Sequence, residues 1–241
     1  REVWTLMATN YNPTIVTDGL VLCLDAANTK SYPGSGTTWT DISGRGNHGT
    51  LTNGPTFSSD DGGSVVVDGS NDFILTPRVT GTGIHNRSVS WGIWVNPSST
   101  SGNIMSMSNS NPQTGWNMPP IAASGQKFLA KIWNNSILES DTYNLNQWYY
   151  LVLVFKYASS GSDRGQFFYV NGELVGSQTN IGYSASASSS GNFMFLGQSN
   201  PGANNTGMFT GKYSNFHIYN KALTETEVIQ NYNAHKGRFG L

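Results

Sequence analysis

Hydrophobic and polar positions alternate most clearly over residues 88–95. There Val89, Trp91, Ile93 and Val95 take turns with Ser88, Ser90 and Gly92, and Trp94 falls on the opposite side. A period of two is the mark of a strand with one face in a core, so this stretch predicts a half-buried strand. Residues 148–155, WYYLVLVF, are apolar on both faces and rich in β-branched and aromatic side chains, which predicts a central strand covered on both sides. In QFFYVNGELVGS, residues 166–177, Asn171-Gly172 supplies two positive-φ positions for a type I′ turn and predicts a hairpin. Shorter strands are expected at 20–25, 64–69, 72–76, 103–108, 127–133, 192–198 and 211–220. The stretch 31–57 is dense in turn formers and is expected to be a loop, as is 111–120.

One helix is expected, at the C-terminal end. Thr224 stands three residues before Glu227, the spacing of a capping box, and Val228, Ile229 and Tyr232 form an apolar stripe behind it. Many short strands, Gly-rich turns and no helix–strand alternation predict an all-β fold: a two-sheet antiparallel β-sandwich with a short C-terminal helix. Residues 18–241 read as one domain, preceded by an extended arm over residues 1–17. Tyr11, Pro13, Ile15 and Val16 of that arm suit either pairing with a neighbour's sheet edge or covering the domain's own sheet.

Composition narrows the function. Charged residues make up only 11% of the 241 residues, against about 25% in an average soluble domain. The surface is therefore neutral and rich in hydroxyls and amides, a character typical of extracellular and virion β-proteins. Formal net charge is −1 with no run of Lys or Arg, so the footprint that nucleic acid requires is missing. No apolar stretch reaches about 18 residues, and membrane insertion is not expected. Met7 reads as a natural start, with no signal-peptide layout around it. Cys23, the single cysteine, has no internal disulfide partner and reads as a small buried hydrophobe.

Four stretches, in order, carry a family resemblance: DGLVLCLDA with WTDISGRGNHGTLTNGPTF; VVVDGSNDFI; WYYLVLVFK with YVNGELVGS; and FTGKYSNFHIYNKALTETEV. Together they resemble the laminin-G-like, concanavalin A-like jelly-roll domains from residue 18 onward. That resemblance implies a jelly roll whose members mostly bind carbohydrate or protein, with some enzymatic branches. The ending NYNAHKGRFGL is similar to the close of such domains in structural and appendage proteins of tailed phages, cyanophages especially, which implies a virion protein.

Each chemistry open to such a fold needs its own residues. Laminarinase-type hydrolases in the superfamily place Glu-x-Asp-x-Glu on one strand, so that two carboxyl groups meet about 5–5.5 Å apart. The nearest match, Glu139-Ser140-Asp141, has Tyr143 or Asn144 where the second glutamate belongs, and the chain is expected not to be an enzyme. His48, His85, His217 and His235 are scattered along the sequence without metal spacing, so zinc is not expected.

Calcium is the candidate metal. Asp68, Asn71 and Asp72 in the DGSND turn offer hard oxygen ligands, and in related domains an aspartate matching Asp72 helps hold calcium with a second one from the late strand. That late position reads as Ser214 or Asn215, which removes a charge. The alternative is that Asp68 and Asp72 only fix the turn by Asx hydrogen bonds. For glycans, Trp116 is the candidate stacking platform, with Gln113, Asn117 and Trp133 beside it, whereas Trp39, Trp91, Trp94 and Trp148 are expected in the core.

These features point to a virion structural module, a capsid decoration or a tail or appendage domain. It would contact other virion proteins, form homo-oligomers and adhere to host-surface glycans, with no cofactor required. The alternatives are a free-standing carbohydrate-binding lectin and, with less support, a glycan hydrolase.

Overall fold

The computed structural model describes residues 14–84, 86–108, 117–133, 135–182, 192–198 and 207–241. Among them lie two antiparallel sheets of eight strands each, packed face to face, and one short helix. In chain order the strands are β1 (Leu20–Asp25), β2 (Thr38–Trp39), β3 (Gly49–Thr52), β4 (Thr56–Ser58), β5 (Ser64–Asp68), β6 (Phe73–Leu75), β7 (Val89–Pro97) and β8 (Gly102–Ser108). They continue as β9 (Asn117–Ser124), β10 (Lys127–Ala130), β11 (Leu138–Thr142), β12 (Tyr149–Lys156), β13 (Gly165–Val170), β14 (Glu173–Thr179), β15 (Phe193–Leu196) and β16 (Thr210–Tyr219).

The first sheet runs β14-β13-β12-β7-β16-β5-β4, with β1 also paired to β16; the second runs β11-β10-β9-β8-β15-β6-β3-β2. This is the jelly-roll sandwich that the alternation predicts. β12 and β7 sit side by side in the middle of the first sheet, with Leu153 opposite Trp91. The hairpin turns as its sequence requires, Asn171 at φ 53° and Gly172 at φ 88°.

β7 departs from the expected half-burial, because every one of its positions is buried. Trp91, Ile93 and Val95 face the core between the sheets, among Leu22, Leu24, Met105, Leu153 and Phe216. Trp94 points outward into a second core with Tyr150, Val152, Tyr219 and Val228. The C-terminal segment roofs that face, which is why β12 is apolar on both sides. The Tyr150 hydroxyl comes so close to Gly92 that a side chain there would meet it at 2.5 Å, so the strand must carry glycine at this point.

The roof is α1 (Glu225–His235) followed by a 3-10 turn, Lys236–Phe239. Its capping box forms as expected: Thr224 Oγ1 accepts from Glu227 N, and Thr224 N donates to Glu227 Oε2 at 2.9 Å. Of the expected stripe, Val228 is buried and Tyr232 stacks on Trp94 at 5.7 Å, but Ile229 is exposed. Phe239 completes the cover, its ring 4.4 Å from Trp94 and 4.5 Å from Trp148.

Two further expectations change, and one of the two readings of the arm is favoured. The stretch read as a loop over 31–57 contains β2 and β3 and the start of β4, each too short to show a period. Residues 117–120 open β9 rather than extending a loop. Of the expected arm, residues 14–17 lie on the domain itself: Val16 is buried in the outer core, its N–H donates to Asn231 Oδ1 at 2.8 Å, and its carbonyl accepts from Tyr219 Oη at 3.0 Å. Residues 1–13 fall outside the described residues.

Candidate functional site

On one flank the two sheets close against each other, with β14 of the first beside β11 of the second. A side chain built at Gly176 would touch Leu138 Cβ at 3.1 Å. Polar bonds stitch the seam: Ile132 N donates to Gln166 Oε1 at 2.7 Å, and Gln166 Nε2 donates to Ser136 O at 2.8 Å. Beside this seam opens a groove of about 450 Å³, a volume suited to a small ligand. Its lining comes from six segments: Phe128, Ser140–Tyr143, Tyr149, Val170–Asn171, Glu173 with Val175, and Tyr232 of α1.

The rings are fixed by one another. Phe128 stacks on Tyr143 at 4.3 Å, and Tyr149 meets Phe128 edge-on at 5.2 Å. Tyr143 Oη donates to Ser99 O at 2.7 Å, while Tyr149 Oη accepts from Asn144 N at 2.8 Å. Burial, with Tyr149 beside it, pushes the Tyr143 hydroxyl up to about 12, so it keeps its proton. Burial and the neighbouring Glu173 carboxylate also raise Tyr232 above the ordinary tyrosine value. Asp141 and Glu173 are exposed acceptors along the same lining. The turn fixes Asn171, whose Oδ1 accepts from Tyr150 N at 2.9 Å. The half-buried faces of Tyr149 and Tyr232, backed by the buried Phe128 and Tyr143 and bordered by carboxylates, an amide and hydroxyls, can receive the C–H face of a sugar ring and its hydroxyl donors.

Not all of the residues expected at a glycan site are described. Trp116 and Gln113 are outside the described residues. Asn117 opens β9, with its backbone opposite Ser108. Trp133, at φ 53°, is half-buried against the main core and is not in the groove lining. Trp39, Trp91, Trp94 and Trp148 are buried, as expected. In the Glu139-Ser140-Asp141 run, Glu139 pairs with Lys127 at 3.3 Å, and of the two carboxylates only Asp141 lines the groove. Looking for carboxylates on one strand misses the combination that forms, because Glu173 arrives from a strand of the other sheet. The usable signal was the Asn171-Gly172 turn, which fixes where Glu173 emerges.

In the DGSND turn, Asp68 Oδ1 accepts from Ser70 N at 2.8 Å and Asp72 Oδ2 accepts from Asp68 N at 3.3 Å. Backbone donors, Ser70 N foremost, lower the Asp68 carboxyl, whereas burial and the Asp68 charge raise that of Asp72. Asn71 is exposed, and its carbonyl accepts from Asn53 Nδ2 at 2.9 Å. Opposite Asp68 on the late strand stands Thr210. Ser214 and Asn215 are buried farther along β16, where Asn215 faces Asp25. Among the described residues, no three His, Cys, Asp or Glu side chains gather as metal ligands. The histidines are less scattered than their spacing implies, since the His217 and His235 rings lie 5.6 Å apart.

No curated protein sequence matches the chain. Its fold is similar to that of Trypanosoma rangeli sialidase in complex with the inhibitor DANA, at TM-score 0.65 and 16% identity over 91% of this chain and 33% of the sialidase. A mutant of the same sialidase displaying trans-sialidase activity matches at TM-score 0.66 and 14% identity, over 95% of this chain and 35% of that one. The binding domain of botulinum neurotoxin serotype D matches at TM-score 0.59 and 15% identity, over 90% of this chain and 52% of that one. The chain thus spans about a third of the sialidases' length, and at these identities the likeness is one of fold. It nevertheless overturns the expectation that this chain is not an enzyme, since chains sharing its fold include sialidases and the fold excludes no catalysis. The family described as the concanavalin A-like lectin/glucanases superfamily, a laminin-G-like group, matches residues 68–229, more than half of the chain, and the chain belongs to that family.

Proposed function

We propose that the chain is a glycan-recognition module that seats a neutral saccharide in the Tyr149–Tyr232 groove, and that it serves on a phage virion as a capsid-decoration or appendage domain. The observation that carries the recognition is the lining: aromatic rings held by neighbours, with Asp141, Glu173 and Asn171 as acceptors around them. Carboxylates on the rim favour neutral sugars, because they accept from hydroxyls and repel anions. Support for glycan recognition in general, though not for the neutral class, also comes from the family and from chains of the same fold, among them a sialidase solved with sialic acid and a neurotoxin binding domain. The virion setting is supported by the ending NYNAHKGRFGL and by the charge-poor surface. In that setting the partners are other virion proteins and further copies of this chain.

An array of neutral bacterial and algal polysaccharides, followed by reducing-end release on each binder, tests the recognition and reads turnover in the same samples. Binding that falls at least about tenfold in Tyr149→Ala, the loss of roughly 1.4 kcal/mol of stacking, is the expected result. No neutral binder, or a binder indifferent to Tyr149→Ala and Glu173→Gln, refutes the groove. Immunogold labelling of purified source particles tests the virion setting, and unlabelled particles refute it.

A further inference from the structure

We propose that a second pocket, between Arg45 and Arg87, binds the oxyanion of an acidic sugar residue, either a carboxylate or a sulfate ester. The pocket holds about 330 Å³ and is lined by Val21, Arg45, Asn47, Thr80–Gly81, Arg87 and Asn220. No carboxylate lines it among the described residues. Neither arginine has an ion pair or hydrogen-bond partner for its guanidinium among those residues, although five N–H donors on each are available to a fork-shaped acceptor.

The walls are built rather than loose. Asp41, itself buried, accepts four hydrogen bonds in the loop that carries Arg45. Its Oδ1 takes Cys23 N and Ser43 N, and its Oδ2 takes Ser43 Oγ and Asn47 N, all at 2.9 Å. Asn47 Nδ2 donates to Val21 O at 2.7 Å, which leaves Oδ1 as the acceptor of that amide. Across the pocket, the loop holding Thr80, Gly81 and Arg87 is tied down where Val79 N donates to Asn192 O at 3.0 Å and Thr82 Oγ1 donates to Val79 O at 2.6 Å. Gly81, at φ 84°, leaves the space that a side chain would fill against Asn220 and the Arg87 guanidinium.

The neighbouring cation is already spent. Lys221 Nζ lies 2.6 Å from both Asp18 and Glu227, so the positive field of the pocket comes from the two arginines. Two cations without a basic stripe, in a chain of net charge −1, suit one or two anionic groups rather than a nucleic-acid backbone. Two amides and a threonine hydroxyl suit ring hydroxyls, and a single apolar residue, Val21, leaves little for a peptide side chain.

Calorimetric titration of the full chain with oligoglucuronate, a sulfated galactan oligosaccharide and a neutral glucan oligomer tests this. At least one acidic probe should bind, more weakly as salt rises, and the acidic probe that binds identifies the oxyanion. Arg45→Gln and Arg87→Gln should each weaken that probe at least about tenfold, as expected for losing a charge-assisted hydrogen bond, with unchanged melting temperature. Tyr149→Ala should leave it untouched. Failure of both acidic probes, binding indifferent to Arg87→Gln, or a short DNA duplex held as tightly as the sugars overturns the proposal. Arginine-dependent acidic binding alongside an array with no neutral binder would refute the groove and keep this pocket.

Discussion

Arg238 grips the Asp25 carboxylate with both arms of its guanidinium, at 2.8 and 3.2 Å, and so ties the end of the chain to its first strand. The pair is mostly enclosed; burial pushes the Asp25 carboxyl up, but the Arg238 hydrogen bonds and charge outweigh it and leave the carboxyl below its ordinary value. Fork-to-carboxylate geometry is the strong form of ion pair. Removing one partner strands the other, and Arg238→Ala should cost about 2–4 kcal/mol, discounted from the roughly 3–5 kcal/mol of a fully buried pair because a quarter of the arginine meets solvent. Chemical denaturation of Arg238→Ala, Asp25→Asn and the double variant measures it. Additive losses would show that the two residues do not couple.

Acid should loosen the same region. Burial, then the neighbouring His235, holds His217 down from the ordinary 6.5 to about 3. Burial and Arg238 hold His235 down to about 4, with Asp25 opposing in both cases. Each histidine is neutral when folded and takes a proton more readily when unfolded. Their contribution is therefore complete above about 6.5 and is lost progressively as pH falls toward the folded values, reaching roughly 2–4 kcal/mol by pH 5. The lowered Asp25 adds a further loss below its ordinary 3.8. Melting temperatures from pH 7.5 to 4.5 should fall steadily in the parent and less steeply in His217→Leu. A flat profile across that range would contradict the neutral pair.

The buried Asn231 bridges three elements: Oδ1 accepts from Val16 N at 2.8 Å and Nδ2 donates to Tyr219 Oη at 3.1 Å. Asn231→Leu keeps the size and removes the acceptor, which leaves the Val16 N–H unpaired at a cost of about 1–3 kcal/mol. The measurement is equilibrium unfolding, with Gln230→Ala, whose Nε2 reaches only the exposed Thr14 carbonyl, as the near-neutral comparison.

Period and turn chemistry made most of the sandwich legible. Alternation at Val89–Val95, the doubly apolar Tyr149–Phe155, the Asn171-Gly172 pair and the Thr224/Glu227 box each became the element expected. What the pattern hid was the outer cover. α1 fully buries only Val228 and Asn231, and its hold on Trp94 depends on Tyr232 and on Phe239 in a tail with no period at all. β2, at two residues, cannot show an alternation. The groove was hidden for another reason: Asp141, Glu173 and Tyr232 come together only once both sheets and the helix are in place. Arg45 and Arg87 are likewise isolated in sequence and joined by the fold.

The turn at Asp68–Asp72 gives the sharpest metal prediction. Asp68 is served by backbone donors, but Asp72 is 5% exposed and faces the Asp68 charge, so its carboxyl is raised above the ordinary 3.8. A raised acid weakens the fold once it ionises, because its favourable contribution exists below the unfolded value and is lost as pH rises through the folded one. Without a cation, Asp72→Asn should therefore melt at or above the parent at pH 7, since the amide oxygen still accepts from Asp68 N. Calcium at the two carboxylates would reverse that order, stabilising the parent by RT ln(1 + [L]/Kd), about 2.7 kcal/mol at a hundredfold excess over Kd, and leaving Asp72→Asn unmoved. Thermal melts of both proteins in chelator and in millimolar calcium read each step. Identical parent curves in the two buffers would refute calcium and leave the turn held by its Asx hydrogen bonds, while an asparagine variant that melts far below the parent in chelator would show that the Asp72 charge stabilises the turn without a metal.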